Sequence, residues 1–446
     1  MSEPKRQIKL GAFLQSVGHH LAAWRHPDVN PEDVTSLEHL KNLAKIAEQG
    51  KFDAIFFADG LGWPQAAPHL LAKGAPAYYW EPLTVLSVLS QVTEKIGLIS
   101  TISTSYLPPF HLARLFASLD HISQGRTGWN LVTSGTDFEA KNFNLTEQNK
   151  HTERYLRARE YVDVVKGLWD SFDDDAYLFD KTSGHFFDAE KLHYLNHQGE
   201  YYSVAGPLQS ARPVQGYPVI VQAGSSEDGR HLAAETAEVV FTAQQTLEGA
   251  QAFYQDIKVH AAAFGRDAES IKVMPGIMPI VAGTYEQALE KFEQLQSLID
   301  PEVGVGLLSA FLGNIDFSKY SLDDLVPEFP ITEGWQSRQQ LLIDLARQEN
   351  LTIRQLYKKV AGARGHKILI GTASQIADEL ENWFNNGAAD GFNILAPTFP
   401  HGLTDFVEQV IPELQRRGLF REEYEGTTLR EHLGLTRPRS QYHDAA

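Results

Sequence analysis

The sequence predicts an α/β protein built as one TIM (β/α)8 barrel with several long insertions. Eight apolar runs of strand length recur along the chain, and segments with helical periodicity lie between them. Strands that are apolar on both faces suit a parallel sheet covered by helices. A chain of 446 residues has room for one such barrel with insertions, so we expect a single domain over residues 1–446.

The predicted strands are spread over most of the chain. They lie at 8–14, 53–58, 96–104, 128–133, 218–223, 238–243, 271–281 and 391–397. Amphipathic helices are predicted between them at 37–49, 81–94, 111–123, 152–169, 246–264, 284–299 and 374–386. The run KILIG at 367–371 is a candidate ninth strand, which would upset the count of eight.

Three stretches are longer than ordinary loops, and a polar segment follows the last strand. The long stretches are approximately 60–80, 171–217 and 300–350, and such lengths indicate functional insertions or lids. Residues 424–446 form a C-terminal arm.

Composition excludes several classes of function. The formal charge of −18 and the pI near 5.4 argue against nucleic acid or an anionic membrane as the main partner. The chain has no cysteine, so it has no disulfide, no thiolate nucleophile and no cysteine metal site. It shows neither a signal peptide nor an apolar run of about 18 residues, and we therefore expect a cytoplasmic protein.

Hydrogen-bonding side chains follow four successive predicted strands. In a barrel, the carboxyl ends of the strands form one rim, where ligands bind. Each Ser or Thr taken singly also fits a structural role in capping a strand or starting a helix. The residues at these ends are Asp59, Thr104, Thr133, Ser134, Ser225 and Ser226.

The stretch AGSSEDG after the fifth strand predicts an anion site. Small residues between a strand and a helix expose backbone N–H groups at the positive end of the helix dipole, which suits a phosphate. Ser225 to Asp228 also reads as an approximate capping box, which is a purely structural alternative.

Histidine spacing argues against a metal site. His19 and His20 are adjacent, so they point to opposite sides, whereas barrel hydrolases place two ligands on one face. His193 and His197 lie in an insertion. His151 and Tyr155 are one helical turn apart and share a face. Dinucleotide, phosphate-loop and serine-nucleophile motifs are not found, and Asp59 alone ends a strand as an acid, which disfavours glycoside hydrolysis.

Several long motifs resemble one enzyme family. They include GRTGWNLVTS at 125–134, HTERYLRAREY at 151–161, PVIVQAGSSEDGR at 218–230 and DGFNILAPTFPHGLTDF at 390–406. From about residue 8 to residue 438, the chain resembles the nitrilotriacetate and dibenzothiophene-sulfone monooxygenase group of the bacterial-luciferase superfamily. The resemblance implies a TIM barrel, reduced FMN from a separate NAD(P)H:FMN reductase, and oxygen insertion from O2 through a flavin C4a-hydroperoxide.

The resemblance also implies roles for single residues. Asp59 and Thr104 would lie beside the isoalloxazine or ribityl chain, and Thr133, Ser134 and Gly135 would border the ring. The ribityl and phosphate would be held by His151, Tyr155, Ser225 and Ser226. His19 matches a position near the reactive edge of the flavin, where an imidazole titrating near neutral pH could donate or accept a proton.

The substrate is predicted only as a class. A small N- or S-substituted carboxylate, oxidised with C–N or C–S cleavage, is favoured over a sulfone. Alkane-oxidising relatives carry Cys three residues before the matching His, and Ser16 stands there in this chain. Arg25 and Arg126 are candidate carboxylate ligands, but structural roles are favoured for both.

The sequence also predicts a quaternary structure and a lid, with two alternative functions. The family implies a homo-oligomer, a dimer or a tetramer, and either 60–80 or 300–350 is predicted to be a lid that excludes water. A flavin-binding barrel without oxygenase activity and a metal-dependent barrel hydrolase are the alternatives.

Overall fold

The computed structural model describes residues 6–63, 68–73, 80–329 and 336–443. Its main sheet has nine parallel strands, of which eight close into a ring. The strands are β1 Lys9–Leu14, β2 Ala54–Phe57, β3 Gly97–Ser103, β4 Thr127–Val132, β5 Val219–Gln222, β6 Val239–Thr242, β7 Lys272–Val281, β8 Lys367–Gly371 and β9 Gly391–Ile394. The ring runs from β1 to β7 in order, then through β9 back to β1. The predicted TIM barrel is confirmed.

The KILIG segment forms a strand beside the ring. The first part of β7 pairs with β6, and Gly276 and Ile277 pair with β9. The second part of β7 leaves the ring and pairs with β8, from Ile277 opposite Lys367 to Val281 opposite Gly371. The ninth strand therefore exists without changing the count of eight, because the unusual length of β7 lets it serve both neighbours.

Helices cover the outside of the sheet. All seven predicted helices are present; the first has the predicted ends, and the other six differ by one to five residues at an end. The helices are α1 Leu37–Gln49, α2 Pro68–Leu71, α3 Pro82–Leu89, α4 Pro109–Ile122, α5 Asp137–Ala140, α6 His151–Trp169, α7 Glu227–Thr236, α8 Leu247–Ala263, α9 Tyr285–Ser297, α10 Pro301–Phe311, α11 Gln336–Gln348, α12 Ile353–Ala363, α13 Ala373–Asn385, α14 His401–Asp405, α15 Ile411–Arg416 and α16 Leu429–Leu433.

Side chains alternate between the two faces of each strand, which gives the barrel two separate hydrophobic cores. Outward side chains pack against the helices, and inward side chains fill the barrel. Three inward rings, Phe13, Phe56 and Phe241, meet edge to face with centroids 4.7 to 5.7 Å apart. These rings form a hydrophobic floor beneath the carboxyl ends of β1, β2 and β6.

The C-terminal arm closes the amino end of the barrel. Leu429 and Leu433 of α16 belong to the inward core. A Cβ on Gly97 would lie 2.5 Å from Leu429 Cδ1, and one on Gly128 would lie 3.3 Å from Leu429 Cδ2, so the two glycines let Leu429 pack closely against the strands. Arg430 is ion-paired with Glu238, which fixes the arm on its own barrel.

The three long stretches have structure of their own. The stretch 171–217 holds two hairpins, Tyr177–Asp180 with His185–Phe187 and His197–Gln198 with Ser203–Val204. The stretch 300–350 contains α10 and α11, and 60–80 contains α2. Parts of the last two, residues 64–67, 74–79 and 330–335, lie outside the described residues. Among the described residues, no helix has the length and apolarity needed to cross a membrane.

Candidate active site

Asp59 stands two residues beyond β2 in an acidic environment. Its Oδ1 accepts a hydrogen bond of 2.9 Å from Gly60 N. Burial raises the pKa of Asp59 to about 6, and the charges of Glu81 and Glu139 add to the rise. This carboxyl group can therefore change charge close to neutral pH, which is common in functional sites.

Hydroxyls at the ends of β3 and β4 bond across the two strands. Thr104 donates from N and Oγ1 to Val132 O, at 2.9 and 3.3 Å. Ser134 Oγ donates to Ser103 Oγ over 2.9 Å, and Ser105 Oγ donates to Thr133 O over 2.6 Å. These hydrogen bonds join the ends of β3 and β4 into one polar rim.

Sequence reasoning missed two residues that hold this rim. Arg154, buried on α6, donates to Ser134 O. Tyr106 accepts from Gln148 Nε2 at 2.6 Å, and burial raises its pKa to about 12. Neither position follows a strand directly, so no local pattern marked it. Arg154 does lie one helical turn beyond the predicted His151 and one position before Tyr155.

His151, Tyr155 and the AGSSEDG segment come together where α6 meets α7. His151 Nδ1 lies 3.0 Å from Asp228 Oδ2, and the rings of His151 and Tyr155 are 4.9 Å apart. A Cβ on Gly224 would lie 3.0 Å from Gly229 Cα and 3.4 Å from the Tyr155 hydroxyl. The backbone therefore forms a tight cradle at the amino end of α7, which fits a phosphate group.

The expected capping box from Ser225 to Asp228 is wrong by one residue. Helix α7 begins at Glu227, so Ser226 is its N-cap and accepts from Gly229 N at 3.2 Å. The third helical residue is glycine, which has no side chain to return a bond to Ser226. The structure therefore has a single cap. Ser225 instead accepts a 2.8 Å bond from Arg230 through its backbone carbonyl.

His19 lies at the carboxyl end of β1 in the neutral form. Its Nε2 is 2.8 Å from Phe13 O, and a carbonyl only accepts, so Nε2 carries the proton. Among the described residues, Nδ1 has no hydrogen-bond partner. Burial lowers the pKa of His19 to about 3, with a smaller effect from the charge of Arg364. The expectation that this imidazole titrates near neutral pH is therefore wrong, because it is completely desolvated.

A small cleft opens where the ends of β1 and β2 meet the start of α1 and the segment before it. Its walls are formed by Leu14, Gln15, Ser16, Asp33, Val34, Leu40, Phe57, Ala58 and Trp80. Ser16 Oγ is buried, with no hydrogen-bond partner among the described residues. An unbonded hydroxyl in a cleft wall can interact with a ligand.

Three residues near this carboxyl end have left-handed backbone. Ser16, Ser134 and Arg364 have φ of 47°, 42° and 52°. Such a conformation costs a non-glycine residue on the order of 1 kcal/mol. Conformational strain of this kind clusters at functional sites. Arg364, which sequence reasoning missed, also donates to Gln15 Oε1 over 2.9 Å.

Comparison with known proteins identifies the family. The sequence of residues 17–390 matches the family model of the luciferase-like monooxygenases. The chain belongs to the luciferase-like monooxygenase family. It is therefore a flavin-dependent monooxygenase, an oxidoreductase of the class that uses reduced flavin and O2.

Three relatives within the luciferase-like monooxygenases match almost end to end. N-acetyl-S-(2-succino)cysteine monooxygenase of Bacillus subtilis (strain 168) is 53% identical over 445 residues, which cover 99% of this chain and 100% of the relative. Nitrilotriacetate monooxygenase component A of Aminobacter aminovorans is 48% identical over 443 residues, 98% of each chain. Dibenzothiophene-sulfone monooxygenase of Rhodococcus erythropolis is 42% identical over 451 residues, 98% of each.

Solved structures with this luciferase-like fold superpose on almost all of the chain. DmoA from Hyphomicrobium sulfonivorans has a TM-score of 0.88 and 33% identity, covering 96% of this chain and 92% of that one. Riboflavin lyase, solved with modified FMN and riboflavin, has a TM-score of 0.87 and 32% identity, covering 96% of each chain.

The two arginines considered from the sequence have structural roles in this luciferase-like monooxygenase. Arg126 is buried and donates to the carbonyl oxygens of Ser90, Thr93, Ile96 and Ser123. Arg25 donates to Leu298 O. All three nitrogens of the Arg126 guanidinium donate to main-chain oxygens, and Arg25 makes one such bond.

The two histidines of the insertion that were considered as metal ligands each pair with one carboxylate. His193 Nε2 lies 3.0 Å from Asp173, and His197 Nε2 lies 3.0 Å from Glu160. Within the described ranges, no group of three or more His, Asp or Glu residues is arranged to hold a metal ion.

Proposed function

We propose that the chain is the oxygenase component of a two-component system that oxidises a small thioether carboxylate with cleavage of a C–S bond. The observation that carries this is the 53% identity, over essentially all of both chains, to N-acetyl-S-(2-succino)cysteine monooxygenase. The name of the next relative, nitrilotriacetate monooxygenase component A, likewise describes carboxylates around a heteroatom. A separate NAD(P)H:FMN reductase would supply reduced FMN, and the oxygenase itself would be a dimer or a tetramer.

FMN would lie along the polar rim and end at α7. Asp59, Thr104 and Thr133 to Gly135 would face the ring, and His151, Tyr155, Ser225 and Ser226 would hold the ribityl and phosphate. The Gly224–Gly229 cradle and the amino end of α7 support this placement, because both favour a phosphate. When bound, reduced flavin supplies the electrons that split O2, sending one oxygen atom to the substrate and one to water.

His19 would orient a proton without exchanging it with solvent. Nε2–H is committed to Phe13 O, so Nδ1 presents a lone pair at the barrel mouth. A neutral imidazole buried beside Phe13 can accept one hydrogen bond from a reacting group. We propose His19 as the proton-positioning residue of the reaction.

The stretches 60–80 and 300–350 would close the site against water. Lys73 Nζ lies 2.9 Å from Glu302 and 3.5 Å from Asp300, so the two stretches touch. We propose that one of them is the lid. Limited proteolysis with and without FMN tests this, and equal cleavage in both conditions contradicts it.

The first experiment is an anaerobic titration with reduced and oxidised FMN, followed by rapid mixing with oxygenated buffer and N-acetyl-S-(2-succino)cysteine. Preferential binding of reduced FMN, with one product formed per flavin oxidised, supports the proposal. Equal binding of both forms without product supports a flavin-binding barrel that is not an oxygenase. Product from a sulfone or an alkane, but not from the thioether, contradicts the substrate class.

A further inference from the structure

The turn that ends α12 lies across the carboxyl end of the barrel. Leu21 N donates to Ala361 O over 2.9 Å, which fixes one side of the turn to the loop after β1. Gln245 Nε2 donates to Gly365 O over 2.8 Å, which fixes the other side to the loop after β6. The turn therefore spans the mouth between β1 and β6.

Ala363 and His366, which flank the Arg364–Gly365 pair, face the inside of the barrel. Ala363 belongs to the inward core. The His366 ring stacks on Phe241, one of the three floor rings, with centroids 5.0 Å apart. This places the turn that carries Arg364 next to the hydrophobic floor of the candidate site.

The guanidinium of Arg364 is held against the wall of the cleft. Nη1 donates to Gln15 Oε1 over 2.9 Å, and Gln15 lines the cleft together with Ser16 and Trp80. The positive charge of Arg364 also contributes to lowering the pKa of the His19 imidazole. The cation therefore lies near both Gln15 and the proposed proton-positioning residue.

The backbone at this position favours a smaller residue. Arg364 is the C-cap of α12 with φ 52° and ψ 34°, a conformation normally adopted by glycine or asparagine at helix ends. Gly365 follows with φ 85°. An arginine at this position carries a conformational cost, which points to a use for its side chain.

The negative charge of the protein repels a substrate that carries carboxylates, which the Arg364 cation would offset. The chain has a net charge of −18, and Asp59, Glu81 and Glu139 add negative charge at the same rim. A substrate with two or three carboxylates is repelled by this field unless a cation meets it locally. A planar guanidinium offers a fork of N–H donors that matches a carboxylate.

We propose that Arg364 binds a carboxylate of the substrate, with Gln15 fixing the plane of its guanidinium. This inference rests on the proposed function, since it assigns a recognition site to the thioether carboxylate. It makes Arg364 a specificity-determining residue of the site.

The test compares binding in four proteins by calorimetric titration with N-acetyl-S-(2-succino)cysteine, with and without oxidised FMN. The proteins are the unaltered chain, Arg364→Asn, Arg364→Lys and Lys51→Asn. Asparagine tolerates left-handed backbone, so Arg364→Asn removes the cation with little strain. Lys51 is the matched control because it has φ 59° and a positive charge, and lies before β2 at the opposite end of the barrel.

We expect Arg364→Asn to raise the Kd for the thioether acid about 10- to 100-fold, as loss of a charge-assisted bond predicts. Arg364→Lys should recover part of the affinity. Lys51→Asn should change it less than about twofold, and Kd for FMN should stay the same in all four proteins. The trimethyl ester of the ligand should bind Arg364→Asn and the unaltered chain equally.

Two results overturn the inference alone. One is binding and oxidation of the acid by Arg364→Asn as efficiently as by the unaltered chain. The other is an equal loss for acid and ester, which would indicate a steric effect. If the unaltered chain neither binds nor oxidises the acid, the proposed function is wrong, and the inference falls with it. The melting temperature of Arg364→Asn, expected to equal or exceed that of the unaltered chain, shows that the variant is folded.

Discussion

His151 Nδ1 and Asp228 Oδ2 are 3.0 Å apart, which joins the start of α6 to the first turn of α7. Thr152 Oγ1 lies 3.4 Å from the same oxygen. If the two residues act as one unit toward FMN, a double-mutant cycle should reveal coupling.

We expect His151→Ala and Asp228→Asn each to raise the Kd for FMN about 5- to 10-fold, because the first removes the imidazole and the second removes the carboxylate charge that holds it. The double variant should cost no more than the worse single variant, a coupling of about 1 kcal/mol. Fluorescence titration of FMN measures all four constants. Strictly multiplicative effects would mean that the pair acts independently.

Ser226→Ala should weaken FMN but not riboflavin. The change removes the cap of α7, costing about 1 kcal/mol of stability, together with a proposed phosphate ligand. Thr246→Ala is the matched control, because Thr246 caps α8 by accepting from Gly249 N at 3.1 Å, as Ser226 accepts from Gly229. Both variants should lose similar stability, and Ser226→Ala alone should raise the Kd for FMN about tenfold. A parallel loss of riboflavin affinity would argue against a phosphate contact.

Asp59→Asn should stabilise the fold at alkaline pH. Burial raises the pKa of Asp59 from 3.8 to about 6, so the ionised carboxylate destabilises the folded state above pH 6. That penalty declines as the pH falls from 6 towards 4, where both folded and unfolded states bind the proton. Urea unfolding at pH 8 should show a gain of about 1 to 2 kcal/mol, reduced for partial exposure, and almost no gain near pH 4. A gain that is the same at both pH values would contradict this origin.

His19→Gln should uncouple flavin oxidation from product formation. We expect at least about a tenfold loss of product per flavin, with hydrogen peroxide released instead, because a proton-positioning group is removed. His20→Gln is the control, since its ring is equally buried, its pKa is also lowered to about 3, and its Nδ1 accepts from Ala22 N. Because the pKa of His19 is about 3, the activity profile between pH 6 and 8 should keep its shape in His19→Gln. An inflection near 6.5 that disappears in this variant would show that His19 does titrate.

Leu429→Ala should destabilise the barrel from its amino end. The side chain is fully buried against Gly97 and Gly128, so truncation leaves a cavity and costs about 2 to 4 kcal/mol in denaturant unfolding. Leu325, which is 63% exposed, provides the control, and Leu325→Ala should cost less than about 0.5 kcal/mol. Equal effects of the two changes would mean that α16 does not support the barrel.

Sequence patterns predicted the parts of the fold that depend on local periodicity. Each barrel strand is an apolar run, and each predicted helix appears within a few residues of its place. The ends of the strands were harder to predict from the sequence. The last strand stops at Ile394 rather than at residue 397, because its pairing with β1 and β7 stops there. A periodic pattern in the sequence indicates which residues are buried, whereas the end of a strand depends on the neighbouring strands that pair with it.

Site residues that directly follow strands could be predicted from the sequence. Site residues that come from a distant part of the chain could not. Ser134 and Ser226 occupy the ends expected of them. Arg364 is 349 residues from Gln15, so no motif could join the two. The protonation state of His19 was also out of reach, because the enclosing residues Phe13 and Phe399 come from opposite ends of the chain.

The closing pair of the ring sets the order in which this chain can mature during synthesis. Lys9 of β1 pairs with Gly391 of β9, and α16 fills the amino end only after that. Until β9 has left the ribosome, β1 is an open sheet edge, able to pair with another chain. We expect the emergence of β9 and α16, rather than of any earlier β/α unit, to be the step at which the nascent protein becomes resistant to aggregation.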